Sequence, residues 1–154
     1  MSTILALDQS TSATKALLFS PAGELIAKTA RDHRQYYPQP GWVEHDAEEI
    51  YQNVRQVCAA LLEQNPGQRD DLLCLSITNQ RETIVVFEKG TVQPLYHAIV
   101  WQCRRGDAAC AELVEAGHGP QVQRATGLKI DTYFPASKLK WLFAHEPEIR
   151  RRVW

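Results

Sequence analysis

The sequence predicts an α/β protein built on a mixed sheet, with three antiparallel strands first and helices on the faces. Three observations carry this. Apolar runs over residues 3–8, 15–19 and 25–29 follow one another with only turns between them. A long amphipathic helical pattern comes next, and apolar strand-like runs return after it. Opening strands without intervening helices exclude a doubly wound Rossmann plan, in which strand and helix alternate.

The elements follow in order. Residues 3–8 form an apolar run that closes on Asp8, and a Ser/Thr-rich turn leads into the run at 15–19. Pro21-Ala22-Gly23-Glu24 is a turn signal, so residues 25–29 complete an antiparallel meander. Residues 33–45 show no periodicity and contain Pro38, Pro40 and Gly41, which predicts a long irregular segment. Trp42 there can line a ligand or staple the start of the next helix. Asp46 is placed as an N-cap, with Glu49 completing a capping box. Ile50, Val54, Val57, Cys58, Leu61 and Leu62 recur at helical spacing, which predicts a helix over 47–64. Residues 72–77 and 83–87 read as buried strands, 88–91 as a turn and 98–101 as a short strand. Helical signals then cover 106–115, 120–126, 136–144 and 146–153. No repeat, low-complexity tract or flexible linker interrupts the chain.

Composition narrows the function classes. The 154 residues suffice for one domain with a real core, and 44% apolar with 23% charged residues is ordinary for a globular protein. A net charge of −1 gives no electrostatic case for nucleic acid or an anionic membrane. No apolar run is long enough to span a bilayer, and no signal-peptide pattern opens the chain, so the cytoplasm is the expected compartment. Cys58 and Cys74 read as small core residues, and no disulfide framework is expected. His97, His118 and His145 are scattered without metal-ligand spacing.

Three places can carry chemistry. The insertion Thr78-Asn79-Gln80-Arg81-Glu82-Thr83 puts an adjacent Arg and Glu between two apolar runs, where unpaired charge cannot be buried. A planar donor fork beside an acceptor suits a ligand rich in hydroxyls; the alternative is a structural ion pair at a sheet edge. Asp8-Gln9-Ser10-Thr11-Ser12-Ala13-Thr14-Lys15 can form an anion-binding nest, with Asp8 placed to hold Mg²⁺ directly or through water, or it is an ordinary polar hairpin turn. Trp101, at a strand tip, can stack on the apolar face of a polyol or fill the core; Tyr133 can donate its hydroxyl or simply pack.

Taken together, Leu5-Ala6-Leu7-Asp8-Gln9-Ser10-Thr11, Pro38-Gln39-Pro40-Gly41-Trp42-Val43-Glu44-His45-Asp46, Ile77-Thr78-Asn79-Gln80-Arg81-Glu82-Thr83, Ala98-Ile99-Val100-Trp101-Gln102 and the stretch 133–138 resemble the amino-terminal part of the FGGY carbohydrate kinases, in their glycerol-kinase-like branch. The resemblance runs in order from Ile4 to about Leu142. It implies an actin-like ATPase (ribonuclease H-like) domain, of which residues 1–154 would be the incomplete amino-terminal part. It implies phosphoryl transfer from ATP, with Mg²⁺, to glycerol or a related small polyol or sugar. A pentulose or other sugar-alcohol kinase, or a non-catalytic actin-like binding module, is the alternative. Arg81, Glu82, Trp101 and Tyr133 would be the substrate-binding set. Thr11, Ser12, Ala13 and Lys15 would cradle phosphate, with Asp8 organising the metal and taking part in catalysis. Lys15 stands where Arg is usual, Ser10 where Gly is usual and Cys103 where Asp is usual. A left-handed backbone at Ser10 would be strained by about 1 kcal/mol. The family's general-base Asp, its adenosine site and its second domain would lie beyond residue 154, so the chain alone is expected to be inactive. Glycerol kinases often self-associate, so a homo-oligomer is possible for the parent.

Overall fold

The computed structural model describes residues 2–153, and the chain divides into two compact units. The first holds the residues up to Arg34 together with Asp46–Gln80; the second holds Gln35–His45 and the residues from Arg81 onward.

The first unit is a four-stranded sheet and one long helix. Strand β1 (Thr3–Gln9) alternates buried and half-buried residues, as a strand with one covered face should. It pairs antiparallel with β2 (Ala13–Phe19), placing Leu5 opposite Leu18 and Asp8 opposite Lys15. Strand β3 (Leu25–Asp32) adds to the outer side of β2, so the expected meander forms and β3 runs past the predicted residue 29. Helix α1 (Ala47–Gln64) has the predicted bounds and buries Val57 and Leu61 against Leu5, Leu7, Ala16 and Leu18. Asp46 caps it, its Oδ1 accepting from the Glu48 and Glu49 amides at 2.8 and 3.3 Å. Glu49 does not close a reciprocal box: its carboxylate accepts from the Arg34 amide at 3.2 Å. After the short helix α2 (Pro66–Arg69), β5 (Leu72–Asn79) joins the free side of β1 in parallel. The order β3-β2-β1-β5 is the predicted mixed sheet, with α1 in the crossover that a parallel neighbour requires.

Strand β5 departs from expectation. Its residues 73–79 are exposed, with Leu73 at 62%, Leu75 at 55% and Ile77 at 64%. It is an edge strand, and α1 packs over β2 and β3 instead. Cys74 is accordingly exposed and not a core residue, whereas Cys58 packs against the core as read.

The second unit has a small β element and four helices. Strand β4 (Glu44–His45) pairs antiparallel with β6 (Ala98–Ile99). The predicted strand over 83–87 is not regular: it reduces to isolated bridges, Ile84 to Ile99 and Phe87 to Pro94. Pro94 has no amide to donate, so the ladder cannot continue there. Strand β6 is likewise shorter than predicted, and Trp101 falls in the turn closed by the Cys103 amide on the Val100 carbonyl at 2.9 Å.

Helices α3 (Asp107–Glu115), α4 (Gly119–Thr126), α5 (Pro135–His145) and α6 (Pro147–Arg152) match the predicted helical pieces within a residue or two. Leu142 and Ile149 join Val86, Ile99 and Cys103 in this unit's core. Trp42 belongs to the same core, its ring edge-on to Trp141 at 4.8 Å, so it does not act as the staple expected for α1. The start of α3 lies hard against α5: a Cβ on Gly106 would sit 2.3 Å from the Ser137 hydroxyl. Among the described residues, no helix is long and apolar enough to cross a membrane.

Candidate functional site

In the first unit, the β1–β2 turn holds the residues expected to meet phosphate. The Ser10 amide and hydroxyl both donate to the Ala13 carbonyl at 2.9 Å, closing the turn. Ser10 is not in the left-handed region, so its replacement of Gly carries no such strain. Thr11 is half-buried, Ser12 exposed and Ala13 buried at the head of β2. Beneath them Thr14 donates to Gln9 Oε1 at 2.5 Å. Lys15 Nζ donates to Asp8 Oδ2 at 3.0 Å, and both side chains are partly open to solvent. The structure therefore joins Asp8 and Lys15 as neighbours across the ladder.

Asp8 fits a magnesium ion only as a contributor. No group of three or more metal-ligating side chains occurs among the described residues. Mg²⁺ commonly takes one or two carboxylates and fills its shell with water and substrate phosphate, which a single strand-end carboxylate satisfies.

In the second unit, Arg81 and Glu82 occupy a turn. They do not form the structural ion pair that was the alternative for them, and neither side chain makes a hydrogen bond or salt bridge among the described residues. Glu82 has φ +64°, the left-handed region that a side chain enters only under constraint. Trp101 and Tyr133 are brought together, their rings tilted 65° with centroids 5.6 Å apart. The Trp101 amide donates to Thr83 Oγ1 at 3.2 Å, tying the indole's backbone to the residue after Glu82.

A cavity in this unit, about 550 Å³, is lined by Glu82, Leu113, Val122, Ile130 and Phe134 among others. Of the four expected substrate residues only Glu82 reaches it, and its walls are too apolar for a polyol.

Two clusters went unread in the sequence. Arg105, fully buried, donates to Glu44 Oε1 at 2.5 Å and to the Cys103 thiol at 3.1 Å. Its guanidinium lies over Trp42 and Trp141, 4.1 and 4.7 Å from the ring centroids. Burial pulls its pKa down, but the bonds to Glu44 and Cys103 outweigh that, so it is raised. His97 Nδ1 meets the other Glu44 oxygen at 3.1 Å. Cys103 is thus wholly interior and engaged by Arg105.

The second unread group is Lys138, at 0% exposure, whose ammonium donates to the carbonyls of Thr132, Tyr133 and Phe134. The only hint in the sequence is its place in the first turn of α5, where a solvated lysine would be the usual reading.

Residues 3–154 match the model of the FGGY family of carbohydrate kinases, N-terminal domain. The chain is 42% identical over 97% of its length to glycerol kinase 1 of Thermotoga maritima, covering 30% of that protein. It is 47% identical over 96% of its length to the glycerol kinase of Bordetella pertussis, covering 29% of it. Among solved structures, Plasmodium falciparum glycerol kinase with ADP aligns with a TM-score of 0.88 at 34% identity, over 98% of this chain and 30% of that one. Ligand-bound xylulose kinase from Lactobacillus acidophilus aligns at 0.90 with 21% identity, over 99% of this chain and 30% of that one, and shows the fold alone. The chain spans about a third or less of the length of these relatives. Its architecture is that of the actin-like ATPase fold, and the chain belongs to the FGGY family of carbohydrate kinases, matching the amino-terminal domain.

Proposed function

We propose that the longer protein represented by this chain transfers the γ-phosphoryl group of MgATP to glycerol or a related small polyol or sugar. The observation that carries this is the pair Arg81 and Glu82, adjacent and making no hydrogen bond or salt bridge among the described residues, in the unit that also holds the Trp101–Tyr133 ring pair. A guanidinium and a carboxylate without such bonds can donate to and accept from neighbouring hydroxyls. An indole face can cover the carbon backbone, and the Tyr133 hydroxyl, which makes no hydrogen bond among the described residues, can add a polar contact.

The Thr11, Ser12, Ala13 and Lys15 turn would receive phosphate, and Asp8 would hold Mg²⁺ directly or through water. When bound, that ion neutralises charge developing on the transferred group. What these residues supply is position: catalysis of this class rests on alignment and charge more than on covalent chemistry. This reading places the reaction in the cytoplasm, treats residues 1–154 as part of the first of two cleft-forming domains and leaves room for self-association of the whole protein. The isolated chain would be inactive.

The test is a coupled ADP-release assay on a chain extended to the length of the relatives, run over glycerol, pentuloses and sugar alcohols. Turnover with glycerol, lost in E82Q and in R81A, is expected. Turnover with a pentulose alone would move the substrate to that class. No turnover with any polyol would sink the kinase reading, and turnover by the 154-residue chain would sink the claim that it is inactive.

A further inference from the structure

We propose that Lys138 is a positioning residue for the polyol face: its buried ammonium gathers three consecutive backbone carbonyls and so fixes the segment that presents Tyr133 to Trp101. This rests on the reading of Trp101 and Tyr133 given above, but its geometry stands by itself. Lys138 Nζ lies 2.5 Å from the Thr132 carbonyl, 2.8 Å from that of Tyr133 and 3.4 Å from that of Phe134. All three donors of the ammonium are thereby used on one short stretch of chain.

The arrangement is energetically odd for a lysine. The side chain is fully buried, and no carboxylate accepts from it. It sits in the first turn of an 11-residue helix, the end at which the helix field disfavours a cation. The titratable groups that act on it electrostatically are Cys103, Glu82, Cys110 and Asp131. A neutral apolar residue would fill the space without these penalties. What such a residue lacks is a way to satisfy the three inward carbonyls at once.

The same stretch is held from its other side. Asp131 Oδ1 accepts from the Tyr133 amide at 2.8 Å, and the Asp131 carbonyl from the Phe134 amide at 3.3 Å. The Tyr133 peptide groups are therefore pinned at both N–H and C=O. Its ring stands edge-on to Phe134 at 5.2 Å and tilted against Trp101 at 5.6 Å, while its hydroxyl makes no hydrogen bond among the described residues. Rigid backbone, packed ring and free hydroxyl are what a pre-organised ligand contact requires.

The experiment uses the 154-residue chain labelled with 3-fluorotyrosine, the Tyr133 line being assigned from Y133F. In K138M the Tyr133 line should move to the unstructured position and sharpen, while the other tyrosine lines stay. Glycerol should shift the Tyr133 line of the wild-type chain, and K138M should need at least about tenfold more glycerol for the same shift, one decade of affinity. An unmoved Tyr133 line in folded K138M overturns the proposal. A Tyr133 line that ignores glycerol also in the chain extended to the length of the relatives overturns the polyol reading, and the K138M line alone then decides the role of Lys138. Should K138M fail to fold, the wild-type ammonium is read in a chain labelled with ¹⁵Nζ-lysine. A slowly exchanging signal with cross-peaks to the α-protons of Thr132 and Tyr133 supports the clamp, and a freely exchanging one overturns it.

Discussion

Trp101 and Tyr133, 32 positions apart in the chain, meet with ring centroids 5.6 Å apart at an angle of 65°. Such tilted pairs contribute roughly 0.5–1.5 kcal/mol beyond the area they bury. Y133A should lower unfolding stability by more than Y133F does, with the excess reduced by about 0.5–1.5 kcal/mol in a W101A background, the contact with Phe134 remaining. A double-mutant cycle in urea checks it.

Glu82 holds a left-handed backbone at φ +64°. That conformation costs a residue with a Cβ about 1–2 kcal/mol, partly offset in Gly by the larger entropy of its unfolded chain. E82G should therefore keep or raise stability by up to about 1 kcal/mol while E82A stays strained. Urea midpoints of the two variants make the comparison.

Gly106 is demanded by close approach, not by φ. A Cβ would stand 2.3 Å from Ser137 Oγ, 2.7 Å from its Cβ and 3.2 Å from its carbonyl carbon. G106A should cost about 1–3 kcal/mol, the usual range for overpacking. Adding S137A should recover only part of it, because the Cβ contact stays; chemical denaturation of both variants reads the difference.

The Arg105–Glu44 pair is buried on both sides. Removing one member leaves an uncompensated charge, so R105M should destabilise by roughly 3–5 kcal/mol. The double change R105M/E44Q should be milder than R105M alone. Finding the two singles and the double strictly additive in thermal unfolding would remove the claim that they act as a unit.

Asp8 and Lys15 pair at 3.0 Å with both side chains partly exposed. An ion pair in that setting contributes little, so D8N should cost no more than about 1 kcal/mol. Its effect should appear instead in metal response. Millimolar Mg²⁺ with ADP should perturb amide resonances of the β1–β2 turn in the wild-type chain and leave those of D8N unmoved.

Local signals were the readable ones. Asp46 and the recurring apolar positions mark α1 within the sequence itself, and its bounds came out as read. The meander followed from turn residues between short apolar runs. Burial of β5 was not legible, because Leu73, Leu75 and Ile77 look alike whether or not something covers them. Residues 83–87 have strand composition, yet pairing is decided by the partner, and Pro94 withholds an amide. At the candidate site, Arg81, Glu82, Trp101 and Tyr133 stood out through the motifs they belong to. Lys138 and Arg105 did not, since their roles arise from carbonyls and rings that only folding assembles.

One further consequence attaches to β5. Leu72–Asn79 carries no charged residue, has a single neighbouring strand and turns its aliphatic side chains to water. Natural sheets guard such margins with lysines, prolines or bulges; this one has neither lysine nor proline, and its one register irregularity lies at its start, between Leu72 and Cys74. Handled as a 154-residue polypeptide, the protein should stick to itself as it is concentrated, and a lysine in place of Leu75 should make the preparation tractable for the spectroscopy described above.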